Sequence, residues 1–170
     1  ANAVTDSVLN KICNEPQTDI FSFGGFRSNS DNSSFSRPYE YTEEITAGGN
    51  SAIWKLKGHF CANLYSVPLL RTYNIRFFEG LKYSEDVIFR LQCAFLSKNI
   101  HFLSQKLYCY QENTVSTMSK VLQIPPIDYY IPIINGWLAS DDFINSHTSS
   151  SGQICHAGHV LSGIYFVDMA

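Results

Sequence analysis

The most regular pattern of apolar positions along the chain lies between residues 84 and 97. Apolar residues recur there at the spacing of one helical face: Val87, Leu91, Ala94 and Phe95. Ser84 stands before two acidic residues, an order typical of a helix N-cap and first turn, and Asn99 follows the pattern. The sequence therefore predicts an amphipathic helix over 84–97 that carries Glu85 and Asp86 in its first turn.

Shorter patterns predict that helices and strands alternate along the rest of the chain. Helices are expected at 5–16, at 51–56, directly after Ser66, and at 128–138. Thr5 or Asp6 is expected to cap the first of them, and Pro68 lies in the first turn of the helix after Ser66. Strands are expected at 19–23, 60–65, 100–103 and 107–110. Gly24-Gly25 is expected to end the first strand, and polar residues at 27–37 and 146–151 predict loops. This alternation predicts an α/β or α+β class with a small mixed sheet and flanking helices.

Length and composition narrow the class of protein. A chain of 170 residues with 45% hydrophobic and 16% charged residues forms one domain, and its composition excludes disorder, collagen and coiled coil. The net charge is -3 and no basic run occurs, so nucleic acid is not expected as a main partner. The surface is expected to be polar and uncharged, which suits polyhydroxylated ligands.

Five cysteines, an odd number at wide spacings, do not form the framework of a small secreted domain. We expect them to be reduced, buried thiols: Cys13, Cys61, Cys93, Cys109 and Cys155. No apolar run of about 18 residues and no signal peptide is found, so a cytoplasmic location is expected. Cys155, His156 and His159 suggest a small zinc site, but no fourth ligand is evident and residues without a chemical role are the favoured interpretation.

The Glu85-Asp86 pair is the strongest candidate in the sequence for catalytic residues. Carboxylates at a helix N-terminus are stabilised in their charged, proton-accepting form by the helix dipole. Acidic residues after a cap also stabilise a helix without any catalytic role, and on spacing alone this structural interpretation is favoured.

The segment 74–89, which reads Asn-Ile-Arg-Phe-Phe-Glu-Gly-Leu-Lys-Tyr-Ser-Glu-Asp-Val-Ile-Phe, resembles the acceptor-side segment of family 2 glycosyltransferases. In that family a sequence motif of the type I-x-F-x-E-G-L precedes a helix whose first residues are Glu-Asp. Segments before and after it are also similar to motifs of that family: Asp19 to Gly24, Asn63 to Ser66, Lys98 to Leu103, Leu107 to Tyr110, and Val115 to Thr117. Together they extend the resemblance over about residues 4–120.

The resemblance implies a GT-A fold and an enzyme of bacterial polysaccharide biosynthesis. Such a hexosyltransferase moves a sugar from a nucleotide-diphosphate sugar to a glycan or lipid-linked acceptor with inversion. The resemblance implies that Asp86 is the catalytic base and that Glu85, Tyr83 and Glu79 contact the substrate. It also implies a cytoplasmic enzyme in peripheral contact with the membrane that holds its acceptor.

The chain departs from this family in lacking its N-terminal half and the metal-binding Asp-x-Asp motif. Asn63 and Gln111 stand where the family commonly has Lys and Arg. We therefore expect 1–120 to be the acceptor-side half of a GT-A domain and 121–170 a C-terminal helical extension packed on it. This fragment is expected to be inactive alone, to hold no metal and to self-associate, while the intact enzyme uses Mg²⁺ or Mn²⁺.

A non-catalytic carbohydrate-binding or assembly module is the alternative interpretation. The uncharged polar surface motivates it, as do aromatic residues that stack on sugars in such modules: Tyr108, Tyr110, Tyr129 and Tyr130. Alternating aromatic residues in strands are more often part of a core.

Overall fold

The computed structural model describes residues 2–28, 35–47, 55–56, 60–81, 84–111 and 126–147. Four helices lie in these ranges: α1 (Asn2–Asn14), α2 (Val67–Thr72), α3 (Glu85–Leu96) and α4 (Pro126–Asn145). They accompany five strands: β1 (Ile20–Ser28), β2 (Phe35–Tyr39), β3 (Ile45–Ala47), β4 (Asn63–Tyr65) and β5 (Ile100–Gln111). A 3-10 turn at Phe60–Ala62 leads into β4.

The strands form one mixed sheet centred on β1 and β5. These two strands run parallel, and β3 pairs antiparallel with the far side of β5. The other edge of β1 is shared, because β4 pairs antiparallel with its first residues and β2 with its last. The prediction of helices around a small mixed sheet is therefore confirmed.

Alternating residues of β1 and β5 build cores on the two faces of the sheet. One face carries Ile20, Ile100 and Phe102, which pack with Phe89, Cys93, Ala94 and Leu96 of α3. The other face carries Phe21, Phe23 and Leu103, which pack with Val8 of α1. The central strands are thus covered on both faces, which is why their apolar residues run nearly without interruption.

Polar contacts hold α1 against its face of the sheet. Glu15 Oε2 lies 2.5 Å from Nδ1 of His101, a buried residue of β5 whose ring stacks on Phe21. Lys11 forms an ion pair with Glu44, just before β3, and this hydrogen bond lowers the pKa of Glu44. The two contacts tie α1 and Glu15, the residue that follows it, to residues far away in the sequence.

Helix α4 packs on α3 at a glycine. A Cβ atom added at Gly136 would lie 2.6 Å from Cδ1 of Ile88 and 3.1 Å from Cδ2 of Leu81. A side chain at residue 136 would require Ile88 to move, so Gly136 allows the two helices to approach closely.

Two local predictions are confirmed by the backbone. The hydroxyl of Ser66 accepts a hydrogen bond from the Leu69 N–H at 3.2 Å and caps α2, with Pro68 in the first turn. The predicted helix at 84–97 is α3. Both depend on contacts within a few residues, which the sequence displays directly.

The prediction that Gly24-Gly25 stops the first strand is wrong. Strand β1 continues to Ser28, and the expected strands 100–103 and 107–110 are parts of one long β5. The register of β1 on β5 shifts around Gly24, since Phe23 pairs with Leu103 whereas Gly24 pairs with Lys106. The glycines absorb this irregularity, as they do at β-bulges.

Three other expected boundaries differ from those of the structure. Part of the loop predicted at 27–37 belongs to β1 and β2, whose backbone groups pair across the sheet. Helix α1 begins at Asn2, so Thr5 and Asp6 lie inside it and do not cap it. Helix α4 extends beyond 128–138 and contains Pro132. The helix expected at 51–56 falls largely outside the described residues.

The cysteine prediction is confirmed in part. Cys13, Cys61, Cys93 and Cys109 are free thiols, but only Cys93 is buried, and Cys155 lies outside the described residues. Burial raises the pKa of the Cys93 thiol well above its ordinary value. The other three lie on exposed positions because α1, the 3-10 turn and the outer part of β5 each have a solvent side.

Candidate functional site

The first turn of α3 places Asp86 at the N-terminal end of a helix. Ile88 N–H donates to the Ser84 carbonyl at 3.1 Å, which makes Ser84 the residue that precedes the helix. The side chain of Asp86 is half-buried, and its Oδ1 accepts from the Val87 N–H at 2.9 Å. The Asp86 carboxylate is therefore fixed by a hydrogen bond within α3, close to the positive end of the helix dipole.

Ser84 does not cap α3 with its side chain, so that prediction is wrong. Its backbone is left-handed, with φ 59° and ψ 18°. A capping serine needs an extended backbone to direct its hydroxyl at the free N–H groups of the first turn. A non-glycine residue in the left-handed region is uncommon and is often found at functional sites, where the local structure holds it in place.

A cluster of aromatic rings lies beside this turn, and we refer to it as the aromatic cluster: Phe60, Tyr65, Phe77 and Phe89. Phe77 stacks on Phe89 with ring centroids 4.3 Å apart and an interplanar angle of 8°. Tyr65 meets Phe89 edge to face at 5.2 Å, and Phe60 meets Phe77 in the same way at 5.7 Å. Phe77 remains 45% exposed, so part of the cluster faces solvent.

The aromatic cluster and the acidic turn belong to one region of the surface. Phe89 follows Asp86 by three residues, so the two side chains are neighbours on the same face of α3. Phe77 reaches this face from the segment that precedes the turn 79–80. Helix α3 thus carries a carboxylate one turn before Phe89, the buried ring against which the exposed ring of Phe77 stacks.

The hydroxyl of Tyr65 is held in its neutral form at this site. Burial is the main reason that the pKa of Tyr65 is raised; Cys93 and, to a smaller extent, Asp86 add to the rise, and Arg90 opposes it. The hydroxyl donates to the Phe60 carbonyl at 3.4 Å. Tyr65 therefore lies within electrostatic reach of both Asp86 and Arg90 and acts as a hydrogen-bond donor.

The other predicted substrate-binding residues have different surroundings. Glu85 lies half-buried beside Asp86 in the first turn of α3. Glu79 is exposed in the turn 79–80, where Gly80 has φ 81°. Tyr83 lies outside the described residues. Of the four predicted residues, the structure brings Glu85 and Asp86 together on one helical turn.

Residues that the sequence did not single out complete this site: Tyr65, Phe77, Phe89 and Arg90. Phe89 and Arg90 stand one turn beyond Asp86 on the same helix, which is a signal that helical spacing offers. Nothing in the sequence indicates that Tyr65 and Phe77, from different segments, converge on Phe89. The aromatic residues considered as sugar-stacking candidates lie elsewhere: Tyr108 and Tyr110 are half-buried on β5, and the side chains of Tyr129 and Tyr130 are not described.

Metal-ligand geometry is not found in the described ranges. No group of three or more His, Cys, Asp or Glu residues gathers there. The zinc hypothesis for Cys155, His156 and His159 falls outside the described residues. Within the described part of the chain, no helix has both the length and the apolar character needed to cross a membrane.

Comparison with known proteins gives no relative for this chain. No protein-family model matches it, and no match is found among curated proteins or solved structures. The features that bear on function are therefore the geometry around Asp86 and the glycosyltransferase-like segment of the sequence.

Proposed function

We propose that this chain carries the acceptor-side part of an inverting glycosyltransferase of GT-A type, with Asp86 as the catalytic base. The substrate class is a nucleotide-diphosphate sugar donor with a glycan or lipid-linked acceptor. The activity belongs to polysaccharide biosynthesis in the bacterial cytoplasm, at the inner face of the membrane that presents the acceptor.

The feature that supports this proposal most directly is the position of Asp86 one helical turn before Phe89, on which the exposed ring of Phe77 stacks. Direct displacement at the anomeric carbon needs one base on the side opposite the leaving diphosphate, held on a rigid element. The first turn of a helix packed against the sheet is such an element. The apolar face of an aromatic ring suits the apolar face of a pyranose, which would orient the acceptor hydroxyl towards the base.

In this mechanism Asp86 takes the proton of the acceptor hydroxyl as the oxygen attacks the anomeric carbon. The bond to the leaving diphosphate breaks on the opposite face, and inversion results. The charges of Asp86 and Arg90 both act on Tyr65, so Arg90 supplies a positive charge to the same region of the surface. Glu85 would position the acceptor beside Asp86.

Donor binding is not assigned to any residue of this sequence, in which no Asp-x-Asp motif occurs. A divalent cation, Mg²⁺ or Mn²⁺, would neutralise the leaving diphosphate when the donor-binding part is present. The isolated chain is accordingly proposed to be inactive on nucleotide sugars.

The test is Asp86→Asn in the full-length gene product, assayed for nucleoside diphosphate release with a panel of sugar nucleotides and glycan acceptors. Asparagine keeps an oxygen that can accept from the Val87 N–H, so the fold should be retained. The rate should fall by 10² to 10⁴-fold, or about 3 to 5 kcal/mol of transition-state stabilisation. Asp6→Asn, an exposed carboxylate on α1, is the matched control and should be fully active. An Asp86→Asn enzyme as fast as the parent would refute the assignment.

A non-catalytic carbohydrate-binding module is the second candidate, and the exposure of Phe77 favours it. Stacking needs the aromatic ring but no proton acceptor. If the chain binds a glycan, if Phe77→Ala abolishes that binding, and if the full-length product transfers no sugar, the module is the better description. Loss of transfer in Asp86→Asn with glycan binding intact would support the transferase.

A further inference from the structure

Helix α4 contacts the chain on both sides of Ser84. The side chains of Leu81, three residues before Ser84, and of Ile88, four residues after it, lie against α4 at Gly136. A Cβ atom added at that glycine would lie 2.6 Å from Cδ1 of Ile88 and 3.1 Å from Cδ2 of Leu81. One position of α4 therefore contacts the chain just before and just after the point where α3 begins.

The C-terminal end of α4 contacts the chain upstream of the same region. His147 follows α4, and its ring meets the ring of Tyr73 edge to face, with centroids 5.6 Å apart. One turn earlier, Phe143 packs against the core on the α3 face of the sheet. Helix α4 thus contacts residues that precede Phe77 and residues that flank Asp86 in the sequence.

The start of α3 needs support from outside the helix. The backbone of Ser84 is left-handed, and its side chain makes no capping hydrogen bond. Such a conformation in a residue with a Cβ atom persists only where the surrounding structure holds it. The bond from the Val87 N–H to the Asp86 carboxylate joins two neighbouring residues, so it moves with the turn and does not anchor it.

Burial on both sides of the contact between α3 and α4 makes it a suitable anchor. Ile88 is fully buried, and Gly136 is buried together with Ser140 and Ile144, which follow it by one and two turns on the same face of α4. A close-packed interface of this kind transmits strain, because its side chains have little free space around them. The position of α4 therefore constrains Ile88 and, through its backbone, the first turn of α3.

We propose that α4 fixes the first turn of α3, and that Gly136 is a positioning residue which acts on Asp86 through Ile88 and Leu81. The consequence for catalysis rests on the proposed function, whereas the holding of the turn rests on the described contacts alone. The proposal gives a role to a helix that lies outside residues 4–120, the part of the chain that resembles glycosyltransferases.

The first test is amide hydrogen exchange in the full chain carrying Gly136→Ala, measured by NMR. The new Cβ atom must displace Ile88, so the first turn of α3 should open more often, and the amides of Val87 and Ile88 should exchange at least about tenfold faster. Val8→Ala is the matched control. It removes buried packing on the other face of the sheet, lowers stability, and should leave both amides within about twofold of the parent.

A second variant tests whether the effect passes through Ile88. Ile88→Val removes Cδ1, the atom that the new Cβ atom would meet at 2.6 Å. Gly136→Ala combined with Ile88→Val should therefore return both exchange rates to those of Ile88→Val alone. A general loss of stability would not be reversed by a second truncation in the core.

The second test is the rate of sugar transfer by the full-length gene product at a temperature where every variant is folded. Misplacing a catalytic group by about 1 Å can cost about 10²-fold, so Gly136→Ala should lower kcat at least about tenfold while KM for the sugar nucleotide stays unchanged. Val8→Ala should keep the kcat of the parent. The double variant with Ile88→Val should recover the kcat of Ile88→Val alone.

Equal exchange rates in Gly136→Ala and Val8→Ala, or no recovery in the double variant, would overturn the proposal. Faster exchange with an unchanged kcat, in an enzyme that Asp86→Asn inactivates, would overturn it as well. If Asp86→Asn keeps full activity, the proposed function fails, and the exchange of the Val87 and Ile88 amides still decides whether α4 holds the turn.

Discussion

Ser84 shows how a single backbone conformation shapes the candidate site. With φ 59° it turns the chain from residue 84 directly into the first turn of α3 and leaves Asp86 to bond the Val87 N–H itself. The left-handed conformation costs a residue with a Cβ about 1 to 2 kcal/mol, a strain that glycine avoids.

Ser84→Gly should therefore raise the free energy of unfolding by about 0.5 to 1 kcal/mol. Glycine removes the backbone strain, but its greater conformational entropy in the unfolded chain offsets part of this gain. Ser104→Gly is the control, because Ser104 lies exposed in the extended strand β5, where glycine should lower stability by a similar amount. Urea denaturation of both variants measures the difference. Equal destabilisation by the two changes would contradict the left-handed backbone at Ser84.

At the scale of elements, the contact between α3 and α4 depends on the absence of a side chain at Gly136. The nearest atom, Cδ1 of Ile88, belongs to a fully buried residue that has little room to move. Crowding at such a position usually costs about 1 to 3 kcal/mol.

Gly136→Ala should lower the free energy of unfolding by about 1 to 2 kcal/mol, because overpacking outweighs the roughly 1 kcal/mol that alanine adds to helix propensity. Asn135→Ala on the exposed side of the same helix is the control, and propensity alone should make it slightly stabilising. Thermal and denaturant unfolding would both report the effect. A stabilised Gly136→Ala protein would mean that the helices are farther apart than described.

At the scale of the whole molecule, Cys93 reports on the integrity of the core. It is fully buried between α3 and the sheet, and burial raises the pKa of its thiol, so little reactive thiolate forms at pH 8. Cys13, Cys61 and Cys109 are exposed.

Alkylation by iodoacetamide at pH 8, followed by peptide mass spectrometry, should label the three exposed cysteines while Cys93 reacts at least about 10³-fold more slowly. Its labelling then requires a large opening of the core, which a stable domain seldom undergoes. In denaturant all four should react alike, which is the internal control. Labelling of Cys93 in the native protein at the rate of Cys13 would show that the described core is not formed.

The fold class and several elements could be predicted from the sequence, whereas the candidate site could be predicted only in part. Asp86 and Glu85 were identifiable from a helical pattern and a resemblance to glycosyltransferases. Phe77 was not, because its role depends on stacking against Phe89, which lies on another element. The exposure of Ile131, Ile134 and Leu138 on α4 was not predictable either, since the apolar residues of a helix do not reveal which of its faces meets a neighbour.

The sequence by itself determined the features that depend on near neighbours: the helix α3, the Ser66 cap of α2, and the alternation that produces a small mixed sheet. Short-range hydrogen bonds and apolar periodicity carry that information. The tertiary structure decided the left-handed Ser84, the continuity of β1 and β5 through the glycine pair, the exposure of three cysteines, and the aromatic cluster beside Asp86. Each of these depends on which distant segments meet, and that is settled by packing across the whole sheet rather than by any local pattern.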